Sequence, residues 1–142
     1  MKSRFLFRGK RLDNKEWVVG HYTQDGVGRH RITRILKEYP WIAYNEVDPN
    51  TIGQYTGLKN KNSELIFEGD ILRWKFTSFG DNVELSKKLC EGVGEVFFNN
   101  SKARFSVRGK QEERENMLTE FNTRNDVEII GNIHDNPELL EV

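Results

Sequence analysis

The chain has 142 residues, 36% of them apolar and 31% charged, and its 22 basic side chains are balanced by 22 acidic ones. This is material for one domain, or for a compact core carrying an N-terminal subdomain, and too little for two full-sized independent domains. The single Cys90 excludes an internal disulfide and a cysteine-based metal cluster. No apolar run is long enough for a membrane-spanning helix, and arginines interrupt Met1 to Lys10 where a signal peptide needs a continuous apolar segment, so a cytoplasmic protein with no membrane partner is expected.

Phe5 and Phe7 alternate with Arg4, Leu6 and Arg8, and after a polar stretch from Lys10 to Lys15 a second alternation runs through Glu16 to Tyr22. A period of two marks a half-buried strand, which predicts an antiparallel hairpin covering Phe5, Phe7, Trp17 and Val19. Thr23 to Gly28 reads as a turn, Arg31 to Ile35 and Trp41 to Tyr44 as short strands, with Pro40 between them. Asp48-Pro49 starts a turn, and Tyr55 to Leu58 reads as an ordered connection that pins a ring and a leucine on the core. Asn60-Lys61-Asn62 is a polar turn, after which Ile66 and Phe67 enter the core before a turn at Glu68-Gly69-Asp70.

From Ile71 to Phe76, Leu72, Trp74 and Phe76 share one side while Arg73 and Lys75 take the other, giving the clearest strand by pattern. Thr77 to Gly92 reads as a long polar connection in which Val83, Leu85 and Leu89 support a short helix or cover the core. Val93 to Phe98 and Ala103 to Val107 flank the turn signal Asn99-Asn100 and so form a hairpin. Met117, Leu118 and Phe121 recur at helical spacing within the charged stretch Arg108 to Thr123, and Val127 to Ile133 is a last strand before Asn136-Pro137.

Many short strands with little helix give a mainly β protein, either a small partly open β-barrel or curved antiparallel sheets, with an N-terminal β extension and at most one or two short helices. Residues 1–46 are expected to be the β-rich N-terminal subdomain or extension and 47–142 the main barrel-like domain. Core material is expected from Phe5, Phe7, Trp17, Trp41, Tyr44, Tyr55, Trp74, Phe97, Phe98, Phe105 and Phe121.

The segment Ile52-Gly53-Gln54-Tyr55-Thr56-Gly57-Leu58-Lys59-Asn60-Lys61-Asn62, followed by Ile66-Phe67-Glu68-Gly69-Asp70-Ile71, resembles the signature of the YopX family. The closing Glu128-Ile129-Ile130-Gly131-Asn132-Ile133-His134-Asp135-Asn136-Pro137-Glu138-Leu139-Leu140 resembles that family's C-terminal pattern. The resemblance implies a bacteriophage or prophage protein with a mainly β fold, and carries no biochemical activity with it.

No residue pattern argues for catalysis or a cofactor, so the chain is read as a non-enzyme. Glu68 and Asp70 lack a visible third metal ligand, and Asp70 is better read as accepting backbone hydrogen bonds at a strand entry. His21, His30 and His134 have no metal spacing, and neither Ser86 nor Ser101 stands in a nucleophile turn. Charge, however, is unevenly placed: Met1 to Glu46 holds ten basic and five acidic side chains, Arg108 to Val142 four and nine. The leading expectation is an accessory protein acting through protein interaction or assembly, with a homo-oligomer or a phage or host protein as partner. The alternative is nucleic-acid binding, with Arg4, Arg8, Lys10, Arg11, Arg29, Arg31 and Arg34 meeting phosphate and Trp17, Trp41 or Tyr44 stacking on a base.

Overall fold

In the computed structural model, residues 4–79, 87–109, 116–117 and 126–141 are described. The chain forms two compact units, Met1–Gly57 and Leu58–Val142. The protein is mainly β, with two antiparallel sheets and, among the described residues, only short 3-10 turns of helix at Pro49–Thr51 and Pro137–Leu140.

The first unit holds β1 (Phe7–Lys10), β2 (Trp17–Gln24), β3 (His30–Ile35) and β4 (Ile42–Glu46), and β5 (Gly53–Lys59) runs on through the unit boundary. Strand order is β4-β3-β2-β1-β5, with β6 (Leu65–Phe67) following β5 through the hairpin turn at Asn60. The end of β1 also returns to the end of β4: Arg11 bridges Val47, Leu12 N–H donates to Glu46 O at 3.1 Å, and Asp48 N–H donates to Lys10 O at 2.8 Å. The strands thus curl round a small core of Val18, Ile32 and Val47, against which Phe7, Tyr22 and Ile52 pack.

This core fixes which face of each strand is covered, and it corrects the expected hairpin. In β2 the buried residues are Val18 and Gly20, while Val19 points outward. The run Trp17-Val18-Val19-Gly20-His21-Tyr22 is apolar in both phases, and the phase carrying Gly20 wins because β3 lies close there. A Cβ on Gly20 would stand 2.3 Å from the carbonyl oxygen of Thr33. Phe5, Trp41 and Tyr44, counted above as core material, are exposed by 60%, 59% and 63%.

The second unit carries β7 (Asp70–Phe79), β8 (Lys87–Asn99), β9 (Arg104–Arg108), β10 (Asn116–Met117) and β11 (Val127–Asn132), in the order β10-β9-β8-β7-β11. Ile66, Leu72, Trp74, Val96, Val107 and Val127 form its core, with Leu58, Phe105 and Ile129 packed against them. Each such side chain contributes roughly 1.5–3 kcal/mol of burial. Leu72 and Trp74 face in while Arg73 and Lys75 face out, as the alternation predicts. Both sheet orders have two end strands, and no closed barrel is formed among the described residues.

The Glu68-Gly69-Asp70 turn is built as its sequence suggests. Gly69 takes a positive φ of 84°, and the buried Asp70 carboxylate accepts the Phe67 N–H at 2.8 Å. Other segments differ from expectation. Tyr55 to Leu58 belongs to β5, and β7 and β8 extend through Phe79 and from Lys87, so both ends of the expected polar connection are strand, while residues 80–86 lie outside the described residues. Of the expected helix, Met117 instead pairs with Ser106 as part of β10, and Leu118 and Phe121 lie outside the described residues.

Candidate interaction face

Strand pairing in the first unit sets which outward side chains stand abreast. Arg8 stands abreast of Val19 and Lys10 abreast of Trp17 across β1 and β2. His21 pairs with Thr33 and Thr33 with Tyr44, while Ile35 pairs with Ile42 across β3 and β4. The β2–β3 ladder ends at His21–Thr33 while β2 pairs with β1 over Trp17 to Gly20, so Ile35 and Ile42 form an apolar cross-strand pair on β3 and β4, and Val19 stands beside Arg8 on β2 and β1. Ile35 is 79% exposed and Ile42 44%. At the β3–β4 turn, Tyr39 and Trp41 stack edge to face at 5.3 Å, both in solvent, with Trp41 at a positive φ of 56°.

The residues singled out from the sequence fall into separate groups on this unit. Arg8 lies over the Trp17 ring at 4.7 Å from its centroid and Lys10 at 5.6 Å, a cation-aromatic cluster on the outward face. Arg4 covers Phe5 at 4.8 Å. Arg11 is paired with Asp13, its Nε donating to Oδ1 at 2.9 Å. Arg29 and Arg31 share Asp25, at 2.7 and 3.1 Å. Arg31 stands abreast of Thr23, six residues along β2 from Trp17, or about 20 Å at the rise of a strand. Arg34 has the parity of the buried Ile32, and its Nε is buried without a hydrogen-bond partner. Trp41 sits at the β3–β4 turn with Tyr39.

Sequence reading missed Val19, Ile35 and Ile42 as surface residues. One signal was present: Ile32 and Ile35 are three apart in one strand, so they face opposite sides, and a sheet covered on one side leaves one of them outside.

Asp25 organises the β2–β3 turn. Its Oδ1 accepts the N–H groups of Val27 and Arg29 at 3.0 and 2.9 Å, and its Oδ2 accepts from Arg29 Nε. The backbone hydrogen bond from Arg29 foremost, with the Arg29 guanidinium, lowers the Asp25 carboxyl to about 2. A carboxyl depressed on folding contributes stability that is complete above its unfolded value, near 3.8, and is lost as pH falls through about 2. Carbon-detected NMR titration should therefore find the Asp25 midpoint near 2, with the Val27 and Arg29 amide shifts following it. A midpoint at the ordinary aspartate value would mean that the turn is not held this way.

The second unit contains an open depression of about 780 Å³ that includes Lys61, Arg73, Trp74, Lys75, Glu91 and Glu128 in its lining. Its charges largely answer one another: Glu128 holds Arg73 at 2.9 Å and Lys61 at 3.6 Å, and Lys75 faces Glu91 across β7 and β8. The Arg73 hydrogen bond lowers the Glu128 carboxyl below the usual range. Among the described residues, no group of three or more His, Cys, Asp or Glu could hold a metal ion, and no helix is long and apolar enough to cross a membrane. His30 is engaged through Nδ1 with the Tyr22 hydroxyl at 2.6 Å. Cys90 has its side chain outside the described residues.

A family model described as YopX protein matches residues 6–141. Among solved structures, the crystal structure of protein EF1440 from Enterococcus faecalis is similar at a TM-score of 0.55 and 24% identity, covering 97% of this chain and 99% of that one. This likeness is one of fold. The comparison with curated proteins returned no match.

Proposed function

The chain belongs to the YopX family, and from that premise we propose that it is a phage or prophage accessory protein that works by protein interaction, using the outward face of β3 and β4. The observation that carries this reading is the exposed Ile35–Ile42 pair, continued along β4 by Tyr44 and at the turn by the Tyr39–Trp41 pair. Large apolar side chains scattered singly over a surface need no explanation, but a contiguous set marks a binding surface.

The nucleic-acid alternative draws on the Arg8, Lys10 and Trp17 cluster. It is the weaker reading because Arg11, Arg29 and Arg31 already face carboxylates within this unit, which reduces the positive field available to phosphate.

A photo-reactive p-benzoylphenylalanine placed at Ile35, in the bacterium that carries the protein, tests both. The expected product is a covalent protein–protein adduct that forms at position 35 and not at the buried position 32. Absence of any adduct, or an adduct that nuclease removes, overturns the proposal.

A further inference from the structure

Both ends of β4 carry unusual surface features, and they are complementary. At its start stands the Tyr39–Trp41 aromatic knob, 81% and 59% exposed. At its end lies a pocket of about 230 Å³ lined by Arg11, Leu12, Asp13, Tyr44, Asn45 and Glu46. Leu12 is itself 45% exposed. Between them runs an end strand of the sheet that lacks the proline or lysine by which sheet edges are commonly blocked.

Its backbone shows which groups face outward. Leu36 N–H donates to Trp41 O and Val47 N–H to His30 O, so odd-numbered residues of β4 bond to β3 and even-numbered ones point to the edge. Two of those outward groups are used: Ile42 N–H donates to Pro40 O at 2.7 Å, and Glu46 O accepts from Leu12. The N–H and C=O of Tyr44 and the C=O of Ile42 have no partner among the described residues.

We infer that β4 is the edge at which two copies of this chain pair, antiparallel about a two-fold axis at Ala43. This deepens the interaction reading above by naming one partner, and it rests on that reading only for the character of the surface. Centring the axis at Ala43 sets Ile42 opposite Tyr44 of the partner subunit, so each Tyr44 N–H donates to the Ile42 C=O of the other copy. The reciprocal bond, from Ile42 N–H to Tyr44 C=O, is not made, because Ile42 N–H is held by Pro40 O within its own turn, so each pair of residues shares one hydrogen bond and the Tyr44 C=O stays open to water. On the outward side an apolar side chain meets an aromatic one across the axis, and on the inward side two alanines meet, where strands come closest. A two-fold exchanges the ends of the strand, which brings the knob of each copy to the pocket of the other. A foreign strand would supply hydrogen bonds but no reciprocal knob.

The test uses the full chain in a Cys90→Ser background. Paired residues at a non-hydrogen-bonded site have Cα atoms about 4.5 Å apart, within the span of a disulfide. Ala43→Cys should therefore form an intermolecular disulfide on mild oxidation, and Thr33→Cys, one strand inward, should not. In sedimentation, Ile42→Glu should weaken the dimer on the order of tenfold or more, through two symmetric contacts. Tyr44→Pro removes an N–H that β3 does not use, so it should abolish the dimer while leaving the circular dichroism spectrum unchanged. A monomer at every concentration reached, or a dimer indifferent to Ile42→Glu and Tyr44→Pro, overturns the inference. A monomer that still forms heterologous adducts at position 35 sinks self-pairing alone, whereas a dimer that gives no adduct at position 35, to itself or to another protein, sinks the reading of that face.

Discussion

Trp74→Ala should lower the free energy of unfolding by about 3–5 kcal/mol, as expected when a large buried ring is removed from a packed core. Trp74 is 5% exposed and shares the second unit's core with Leu72, Val96, Val107 and Val127. Its ring lies against the backbone of Gly92, its cross-strand partner in β8, where an added Cβ would fall 2.4 Å from Cζ2. Gly92→Ala should therefore cost about 1–3 kcal/mol by forcing the ring or the strand aside. In the Trp74→Ala background the same methyl group no longer meets the ring, so the double variant should lose less than the two single costs together. Urea unfolding of the four proteins measures the coupling. Strict additivity would show that the ring does not rest on Gly92.

Gly20→Ala should destabilise the first unit by about 3 kcal/mol, toward the upper end of overpacking costs. The added carbon would meet the Thr33 carbonyl oxygen at 2.3 Å and its carbon at 3.0 Å, and backbone cannot rotate away as a side chain does. The strain falls on the β2–β3 pairing, so amide exchange should accelerate first at Tyr22 and Ile32, which are paired there. Gly26→Ala, whose added carbon meets nothing within 4 Å, is the matched control and should change stability by less than about 0.5 kcal/mol. Equal effects of the two substitutions would show that β3 does not approach Gly20 closely.

These two glycines mark what the sequence could and could not convey. Where one phase of a strand is charged, as with Arg73 and Lys75 in β7, alternation identified the buried side, because burying those cations costs too much. In β2 both phases are apolar, and the choice was made by the space a neighbouring strand leaves at Gly20, which is a tertiary fact. β5 was hidden for a related reason: Gly53 and Gly57 permit tight backbone paths, which suited an ordered connection, yet Tyr55 is buried within a strand there. Of the candidate site, the basic residues were legible and their neighbours were not. Asp13 and Asp25 lie two to six residues from the arginines they hold, but only the turn geometry shows which carboxylate faces which guanidinium. The exposed Ile35–Ile42 pair and Trp41 were concealed by the ordinary assumption that isoleucine and tryptophan lie inside.

The three tryptophans stand in three different surroundings: Trp74 is buried in the second unit, while in the first Trp41 is open to water and Trp17 lies under Arg8 and Lys10. Their intrinsic fluorescence consequently separates by colour and by quencher, with a blue emission from Trp74 that small ions do not reach. Iodide is drawn to Trp17 by its cations and caesium is repelled there, whereas Trp41 admits both, so the fate of each unit during denaturation can be followed in the native chain without any attached dye.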